Sequence, residues 1–224
     1  MNADSHALLQ AQGRAAALFE AVVAEGLLQP GLRESELAKA IAALGKQRFG
    51  VRRHWHRKIV RSGPNTLLAY ADGVSDRVLE DGDLVVLDFG PVFGEWEADY
   101  GRTYLIGTDP GKQQLVRDVE EAFAAGKAHY QRTPDLTAGA LYDHVSALAA
   151  AEGWEFGART AGHLIGGFPH EQPPSGMRFS IAHGNTTPLN APDAHGRRRH
   201  WILEVHFVDR ARGWGAFVEE LLTL

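Results

Sequence analysis

The sequence predicts an α/β (α+β) fold in which one arrangement of elements occurs twice. Three observations support it. Apolar residues recur at helical spacing in two separate pairs of segments, each pair is followed by strand-like segments, and each half contains acidic strand segments. We expect a single domain spanning residues 1–224, with halves at about 1–110 and 111–224, each holding two helices and an antiparallel sheet.

The predicted elements follow one another in the order helix, helix, strands, and then the same order again. Glycine and proline end the helical segments, as Gly26 and Pro30 do after the first and Gly153 does after the last. The helices are expected at about 5–27, 34–44, 111–131 and 138–151. The strands are expected at about 58–60, 67–70, 83–106, 156–164, 178–182, 200–208 and 215–222. A stretch rich in Pro, Gly, Asn and Arg is predicted to be partly a long loop, 171–199.

The segment 84–99 (LVVLDFGPVFGEWEAD) is predicted to be a hairpin with an aspartate on each strand. With a turn tip at Phe93–Gly94, Asp88 lies opposite Asp99. Like charges that face each other on a sheet repel, and a buried unpaired carboxylate is costly. A divalent cation between the two side chains turns both into oxygen ligands. The hairpin therefore indicates a metal-dependent enzyme.

The second half carries a matching set of acids and histidines. Glu204 and His206 lie on one face of a predicted strand, and Glu219 lies in the last strand. Two histidines, His163 and His170, flank a glycine-rich bend. Two facing halves would bring four carboxylates to a single cleft: Asp88, Asp99, Glu204 and Glu219.

Composition and charge exclude several classes of site. The chain is 44% hydrophobic and 23% charged, and its formal net charge of −5 argues against binding of nucleic acid or of an anionic membrane. There is no cysteine, so disulfides, zinc–thiolate sites, iron–sulfur clusters and cysteine nucleophiles are excluded. A metal must then be bound by Asp, Glu and His, which suit Mn, Zn, Co or Mg better than copper(I).

Neither a leader nor a membrane segment is predicted. The N-terminal residues contain no basic stretch leading into an apolar run, which a signal peptide requires. No stretch approaches the ~20 apolar residues that span a bilayer. We therefore expect a cytoplasmic protein.

In this order and spacing the motifs resemble those of the pita-bread metallopeptidase superfamily, which includes methionine aminopeptidase, aminopeptidase P, prolidase and creatinase. The resemblance covers nearly the whole chain and points to the aminopeptidase P and prolidase branch. It lies in the two aspartates, the late glutamates, Arg102-Thr103, 162–166 (GHLIG), 170–171 (HE), 62–65 (SGPN) and 29–37 (QPGLRESEL). We expect the separate N-terminal domain of aminopeptidase P and prolidase to be absent. The resemblance implies a stand-alone catalytic domain with a pseudo-twofold pita-bread fold around a metal cleft.

The resemblance also implies a dinuclear centre with two divalent ions, for which Mn is favoured and Co or Zn are alternatives. Five residues occupy its ligand positions: Asp88, Asp99, His163, Glu204 and Glu219. Asp99 and Glu219 are expected to bridge two ions roughly 3.5–4 Å apart, and strand parity favours Glu219 over Glu220. Glu204 would also handle the proton of a metal-bridging hydroxide. His170 would hydrogen-bond the substrate or the tetrahedral intermediate.

Three positions depart from the family pattern. Tyr70 stands where the family has a histidine, five residues after Asn65. Glu204 is followed by Val205-His206 instead of Pro-Gly, and Phe217 replaces an arginine that helps proline-specific members. The ligand set is therefore complete, while the residues expected to recognise an Xaa-Pro substrate are altered.

Three residues are candidates for the role of the missing histidine. His54 and His56 precede the 62–65 segment and could reach the cleft mouth, where one would act as a general acid or transition-state donor. The alternative is a solvated basic strand around Trp55. Tyr70 itself is either a phenol donor in the histidine's place or a core residue.

We expect a metal-dependent hydrolase of the Xaa-Pro aminopeptidase or dipeptidase type that cleaves an amide bond of a small peptide. Two alternatives are a creatinase-like hydrolase of a non-peptide C–N bond and a non-catalytic pita-bread module that binds peptides or proteins. The expected partners are a small peptide or amide substrate and a second copy of the chain in a homodimer, with no nucleic acid and no membrane.

Overall fold

Two pairs of helices pack against one face of a seven-stranded antiparallel sheet. The computed structural model describes residues 3–170 and 179–224. The helices are α1 (Ala3–Ala24), α2 (Glu34–Arg48), α3 (Pro110–Arg132) and α4 (Ala138–Ala151). The strands are β1 (Ile59–Ser62), β2 (Leu84–Phe89), β3 (Val92–Phe93), β4 (Trp96–Glu97), β5 (Tyr100–Leu105), β6 (Glu155–Phe156), β7 (Leu164–Ile165), β8 (His200–Asp209) and β9 (Trp214–Leu221). The large sheet has the order β1, β2, β5, β9, β8, β6, with β7 beside β8, while β3 pairs with β4 alone.

Side chains alternate along the central strands between an apolar face and a polar face. On β2, Val85 and Leu87 join the core formed with α1 and α2, whereas Asp88 lines a cavity on the opposite side. On β8, Leu203 joins the core formed with α3 and α4, and Glu204 lines the same cavity. The helices therefore cover one face of the sheet, and the other face carries the predicted acids.

All four predicted helices are present, and capping side chains fix where α3 and α4 begin. The Asp109 carboxylate accepts hydrogen bonds from two N–H groups in the first turn of α3, and Pro110 occupies its first position. Thr137 caps α4 in the same way. The second helix extends beyond its predicted end to Arg48, shortly before Gly50. No helix in the described parts of the chain is long and apolar enough to cross a membrane.

The aspartate hairpin forms, but its predicted register is wrong. The turn lies at Gly94–Glu95, one residue beyond the predicted tip, because Gly94 adopts a left-handed conformation with φ 65°. Asp88 therefore pairs with Gly101 and not with Asp99, which lies just before β5. When the turn moves by one residue, the cross-strand partner of each residue changes by two positions. The face on which each side chain lies is preserved.

The predicted strand at 67–70 is wrong. Gly63–Leu67 forms a 3₁₀ turn, and the chain continues from it without regular structure. The guanidinium of Arg61 donates hydrogen bonds to the carbonyls of Leu68 and Tyr70. These carbonyls are bonded to a side chain and not to a neighbouring strand.

The strand pattern of the second half is more broken than predicted. The segment expected at 156–164 is divided between the short strands β6 and β7. Near 178–182 the described residues form a single bridge, between Ser180 and His163. Part of the predicted long loop, 171–178, lies outside the described residues.

The packing of α1 predicts a contrast between two adjacent valines. Val22 is buried in the core of the first half, whereas Val23 is 50% exposed. We expect Val22→Ala to lower the free energy of unfolding by about 2 kcal/mol, because two methyl groups at roughly 0.8 kcal/mol each are lost and a cavity remains. Val23→Ala is the matched control, with a change within about 0.5 kcal/mol. Urea unfolding of the metal-free protein measures both, and equal losses would contradict the assignment of the buried face.

Candidate metal centre

Four carboxylates and one imidazole converge on the polar face of the sheet. Asp88 comes from β2, Asp99 from the residue before β5, Glu204 from β8 and Glu219 from β9. All four line a cavity of about 860 Å³, and His163, which precedes β7, lines it too. Glu204 and Glu219 are direct cross-strand partners. The structure thus brings the five predicted ligand residues together.

His163 lies at the centre of this group. Its Nε2 is 3.2 Å from Asp99 Oδ2, 3.4 Å from Glu204 Oε1 and 3.8 Å from Glu219 Oε1. Its Nδ1–H donates a hydrogen bond to the carbonyl of Leu164 at 2.7 Å. Because a carbonyl can only accept, this bond leaves Nε2 as the nitrogen that faces the carboxylates.

A second imidazole, that of His56, contacts the other oxygen of Asp99. The His56 Nε2 lies 3.0 Å from Asp99 Oδ1 and 3.6 Å from Asp88 Oδ1. Its Nδ1–H donates to the carbonyl of Arg57 at 2.7 Å. The side chain is only 8% exposed, so His56 lies inside the cleft and not at its mouth.

Burial and mutual repulsion make most of these acids hard to ionise without a cation. Burial raises the pKa of Asp88 to about 7, with repulsion from Asp99 acting in the same direction. Burial, together with the neighbouring acids, raises the pKa of Glu219 well above its usual value, and burial also raises that of Glu204. Burial acts to raise the pKa of Asp99 as well, but the two imidazoles outweigh it and lower that pKa.

The imidazoles show the reciprocal effect. Burial lowers the pKa of His56, yet the charges of Asp99 and Asp88 and the hydrogen bond with Asp99 raise it to about 9. Burial also acts to lower the pKa of His163, and its hydrogen bonds with Asp99 and Glu219 raise it well above its ordinary value. The carboxylates therefore favour the protonated, positively charged form of both imidazoles.

The donor set fits hard divalent cations. Asp88 Oδ1 is buried and makes no hydrogen bond among the described residues. Two triads each offer one ligand atom per residue within 4.8 Å of one another, His56 with Asp88 and Asp99, and Asp99 with His163 and Glu219. Carboxylate oxygens and imidazole nitrogens are donors that Mn, Co and Zn accept. The residues present therefore fit divalent metal ions.

His170 lies beside the cluster and is oriented by Glu97. Its Nδ1–H donates to Glu97 Oε2 at 2.8 Å, and its ring stacks on the indole of Trp55 at 4.3 Å between centroids. The ring centroid is 5.8 Å from that of His163. Glu97 is fully buried, and its other carboxylate oxygen has no hydrogen-bond partner in the described chain. No motif marks Glu97, so sequence analysis did not find it.

The other predicted side chains lie at different distances from the cluster. His54 packs edge-on against a core phenylalanine ring at 5.9 Å and is not among the described residues that line the cavity. Tyr70 lines the cavity and is 50% exposed, and the guanidinium of Arg57 lies 4.4 Å from its ring centroid. His206 also lines the cavity. Its Nε2–H donates to the carbonyl of Thr66 at 2.8 Å, and burial lowers its pKa to about 4.

Adjacent glutamates on β9 make different contacts. Glu219 is buried in the cavity wall, whereas Glu220 forms an ion pair with Arg102 and accepts a hydrogen bond from Gln12 at 3.2 Å. Arg102 also donates to the backbone carbonyl of Glu219 at 3.3 Å. The geometry favours Glu219 as the ligand, and Arg102 supports the strand that carries it.

The sequence of this chain matches that of a known enzyme family along almost its whole length. The match is to metallopeptidase family M24, over residues 6–220. The chain belongs to the M24 metallopeptidases. It is 30% identical over 144 residues to an Xaa-Pro dipeptidase from Pyrococcus horikoshii, a match that covers 64% of this chain and 40% of that protein. The matched segments cover less than half of the length of these curated relatives.

Solved structures confirm the predicted pita-bread fold. An Xaa-Pro dipeptidase from Bacillus anthracis is similar with a TM-score of 0.79 and 25% identity, covering 100% of this chain and 61% of that one. A methionine aminopeptidase from Thermotoga maritima has a TM-score of 0.73 at 17% identity, covering 100% of this chain and 97% of that one. The predicted superfamily and fold class are therefore confirmed.

This M24 chain also uses a buried acid whose role sequence analysis did not assign. Glu34 of α2 accepts hydrogen bonds from the N–H of Ser62 at 2.5 Å, from its hydroxyl at 2.9 Å, and from the Asn65 amide at 3.0 Å. The serine and the asparagine belong to a motif that marks the family resemblance. The bonds fix the segment that leads to Thr66 and Tyr70 in the cavity wall.

The bonds of Glu34 predict a large effect of a small change. We expect Glu34→Gln to lower the free energy of unfolding by about 2 kcal/mol, because hydrogen bonds to a charged acceptor contribute roughly 1.5–3 kcal/mol and the new amide would turn a donor toward the Asn65 donor. Glu36→Gln is the control, since this exposed acid of the same turn accepts one bond, from the Arg33 N–H at 2.8 Å. Urea unfolding compares the two, and a loss no larger for Glu34→Gln than for its control would refute the argument.

Proposed function

We propose that this chain is a metal-dependent hydrolase of the Xaa-Pro aminopeptidase or dipeptidase type that cleaves an amide bond of a small peptide. The observation that carries the proposal is the convergence of three buried carboxylates, the half-buried Glu204 and His163 on one cavity. Membership of the M24 family supports it, as does the similarity to dipeptidases of known structure.

The metal centre would hold two divalent ions, with Mn favoured and Co or Zn as alternatives. Its proposed ligands are Asp88, Asp99, His163, Glu204 and Glu219. When bound, the ions would polarise the amide carbonyl and supply a hydroxide nucleophile at neutral pH.

Glu204 is the candidate for moving the proton. Its side chain is 19% exposed, compared with 4% for Glu219 opposite, so it has the freer access to the cavity. A carboxylate in this position can take a proton from water and pass it to the leaving amine.

His170 is the candidate for a hydrogen bond to the substrate. Glu97 holds its Nδ1 and Trp55 stacks against its ring, so the orientation of the imidazole is fixed by two independent contacts. Its Nε2 has no hydrogen bond to any described residue and is the ring atom left for a substrate. A group fixed in this way can stabilise charge that develops during the reaction without reorganising.

The ligand assignment predicts different behaviour of the two adjacent glutamates. We expect Glu219→Ala to lose at least one of two metal ions per chain, because its carboxylate would lie between both. Glu220→Ala should keep both ions, because Glu220 contacts Arg102 and Gln12 outside the cavity. Metal analysis after loading with Mn²⁺ and removal of free ion measures this. Two ions of unchanged affinity in Glu219→Ala would show that the ligand set is wrong.

The cavity wall predicts weak or no cleavage of ordinary Xaa-Pro dipeptides. Phe217 and Tyr70 line the cavity and supply neither the guanidinium nor the imidazole of proline-specific relatives, and one missing donor costs about 10²–10³ in rate. Values of kcat/KM for the manganese-loaded protein should be compared across Xaa-Pro dipeptides, longer peptides and non-peptide amides. Efficient cleavage of Xaa-Pro dipeptides would contradict the prediction. Turnover of a non-peptide amide alone would favour the creatinase-like alternative. The absence of any turnover would favour the non-catalytic binding module.

A further inference from the structure

We infer that His56 is a sixth ligand of the metal centre, so that each half of the chain contributes two carboxylates and one imidazole. The inference rests on the proposed function, because it adds a ligand to the same centre. The family resemblance supplies five ligand positions, and His56 is not one of them. The evidence that His56 is a ligand comes from the geometry of this chain.

His56 and His163 are held in the same way. Each Nδ1–H donates to the carbonyl of the following residue, Arg57 or Leu164, and both bonds measure 2.7 Å. Each Nε2 then faces one oxygen of Asp99, Oδ1 at 3.0 Å from His56 and Oδ2 at 3.2 Å from His163. A metal-bound histidine commonly donates its other N–H to a backbone carbonyl, which fixes the tautomer and the ring. By this criterion the two imidazoles are equivalent.

Asp88 gives an independent reason to expect an ion beside His56. Its Oδ1 is buried, has no hydrogen-bond partner among the described residues and lies 3.6 Å from His56 Nε2. One ligand atom from each of His56, Asp88 and Asp99 lies within 4.8 Å of the others. A cation between these three atoms would satisfy the unpartnered oxygen and would give the ion a nitrogen ligand as well as carboxylates.

The charges of such a centre balance without a further proton. Four carboxylates carry four negative charges and two divalent ions carry four positive ones, so both imidazoles can bind as neutral ligands. With Nδ1–H committed to Arg57, a neutral His56 turns the lone pair of Nε2 toward carboxylate oxygens of Asp99 and Asp88. A metal ion between these atoms would take the place of the proton that Nε2 shares with Asp99 in the metal-free chain, and the lone pair would then bind the ion.

The ring of His56 is fixed by its surroundings. A Cβ atom at Gly90 would lie 2.1 Å from His56 Cδ2 and 2.4 Å from Nε2, so the ring fills the space that a side chain there would need. The indole of Trp55 packs edge-on at 4.5 Å between ring centroids, and its N–H is bonded to the Ala98 carbonyl at 2.9 Å. The imidazole is therefore positioned by packing, as a preorganised ligand requires.

Proton NMR of the Co²⁺-loaded protein separates ligation from a mere hydrogen bond to Asp99. An imidazole that binds paramagnetic cobalt shifts its own Nδ1–H far outside the normal spectrum, and the bond to a carbonyl protects that proton from exchange. We expect two strongly shifted exchangeable imidazole signals in the unmodified chain and one in His56→Ala. His54→Ala is the matched control from the same segment and should retain both.

Cobalt titration by calorimetry adds a second measurement. We expect His56→Ala to weaken binding of one Co²⁺ ion by at least ~10–100-fold, the effect that even partners which only orient a ligand can have. Gly90→Ala should give a similar loss, because its methyl group would displace the ring. His54→Ala should bind both ions with the affinity of the unmodified chain.

The possible failures are distinguishable. Two bound Co²⁺ ions with a single shifted imidazole signal, unchanged in His56→Ala, would overturn the sixth ligand and leave the five-ligand centre standing. A chain that binds no Co²⁺ would overturn the proposed function together with this inference. Loss of both signals in His54→Ala as well as in His56→Ala, with reduced thermal stability, would assign the effect to the fold of the segment and also overturn it.

Discussion

The close approach of four carboxylates, three of them buried, on one face of a single sheet is the constraint on which the rest of the structure depends. Their repulsion has to be compensated within the polar face, because the opposite face is committed to the helices. Asp99 is the point at which this happens, since each of its oxygens meets one imidazole, His56 on one side and His163 on the other. In the metal-free chain the carboxylates raise the pKa of both imidazoles, so the rings supply positive charge that bound cations would otherwise bring. The centre therefore has an excess of negatively charged groups, which bound cations can neutralise.

Much of the fold could be predicted from the sequence because it rests on local patterns, whereas the predicted ligand set followed from the resemblance to the pita-bread superfamily. Helices follow apolar periodicity and capping residues such as Asp109 and Thr137, and strand parity places Glu204 on the cavity face. The features that the sequence did not predict depend on the backbone angle of one residue or on contacts between distant segments. The hairpin register follows from the left-handed turn at Gly94. The role of Glu34 follows from bonds to residues 28 and 31 positions away, which no spacing rule marks.

Of the residues that depart from the family pattern, Tyr70 lies outside the strands that carry the acids, whereas Phe217 lies on β9 with Glu219 and His206 lies on β8 with Glu204. The acids lie on or beside long central strands, whose register is fixed by pairing on both sides. Tyr70 follows an irregular segment that is held by hydrogen bonds from the Arg61 guanidinium. Residues on such segments can change without disturbing the paired strands. The paired strands can therefore keep the cluster of acids and imidazoles in place while the irregular segment at Tyr70 differs.

The pairing of β5 with β9 has a consequence for the order in which the chain folds. This contact joins the two halves of the sheet, and 117 residues separate Arg102 from Glu219 across it. Closing so long a loop costs conformational entropy, so we expect this contact to form late in folding. A cation that needs acids from both halves would find its complete set of ligands only after that step. Such an ion would slow unfolding and so lengthen the lifetime of the folded chain. It would have little effect on the rate of folding.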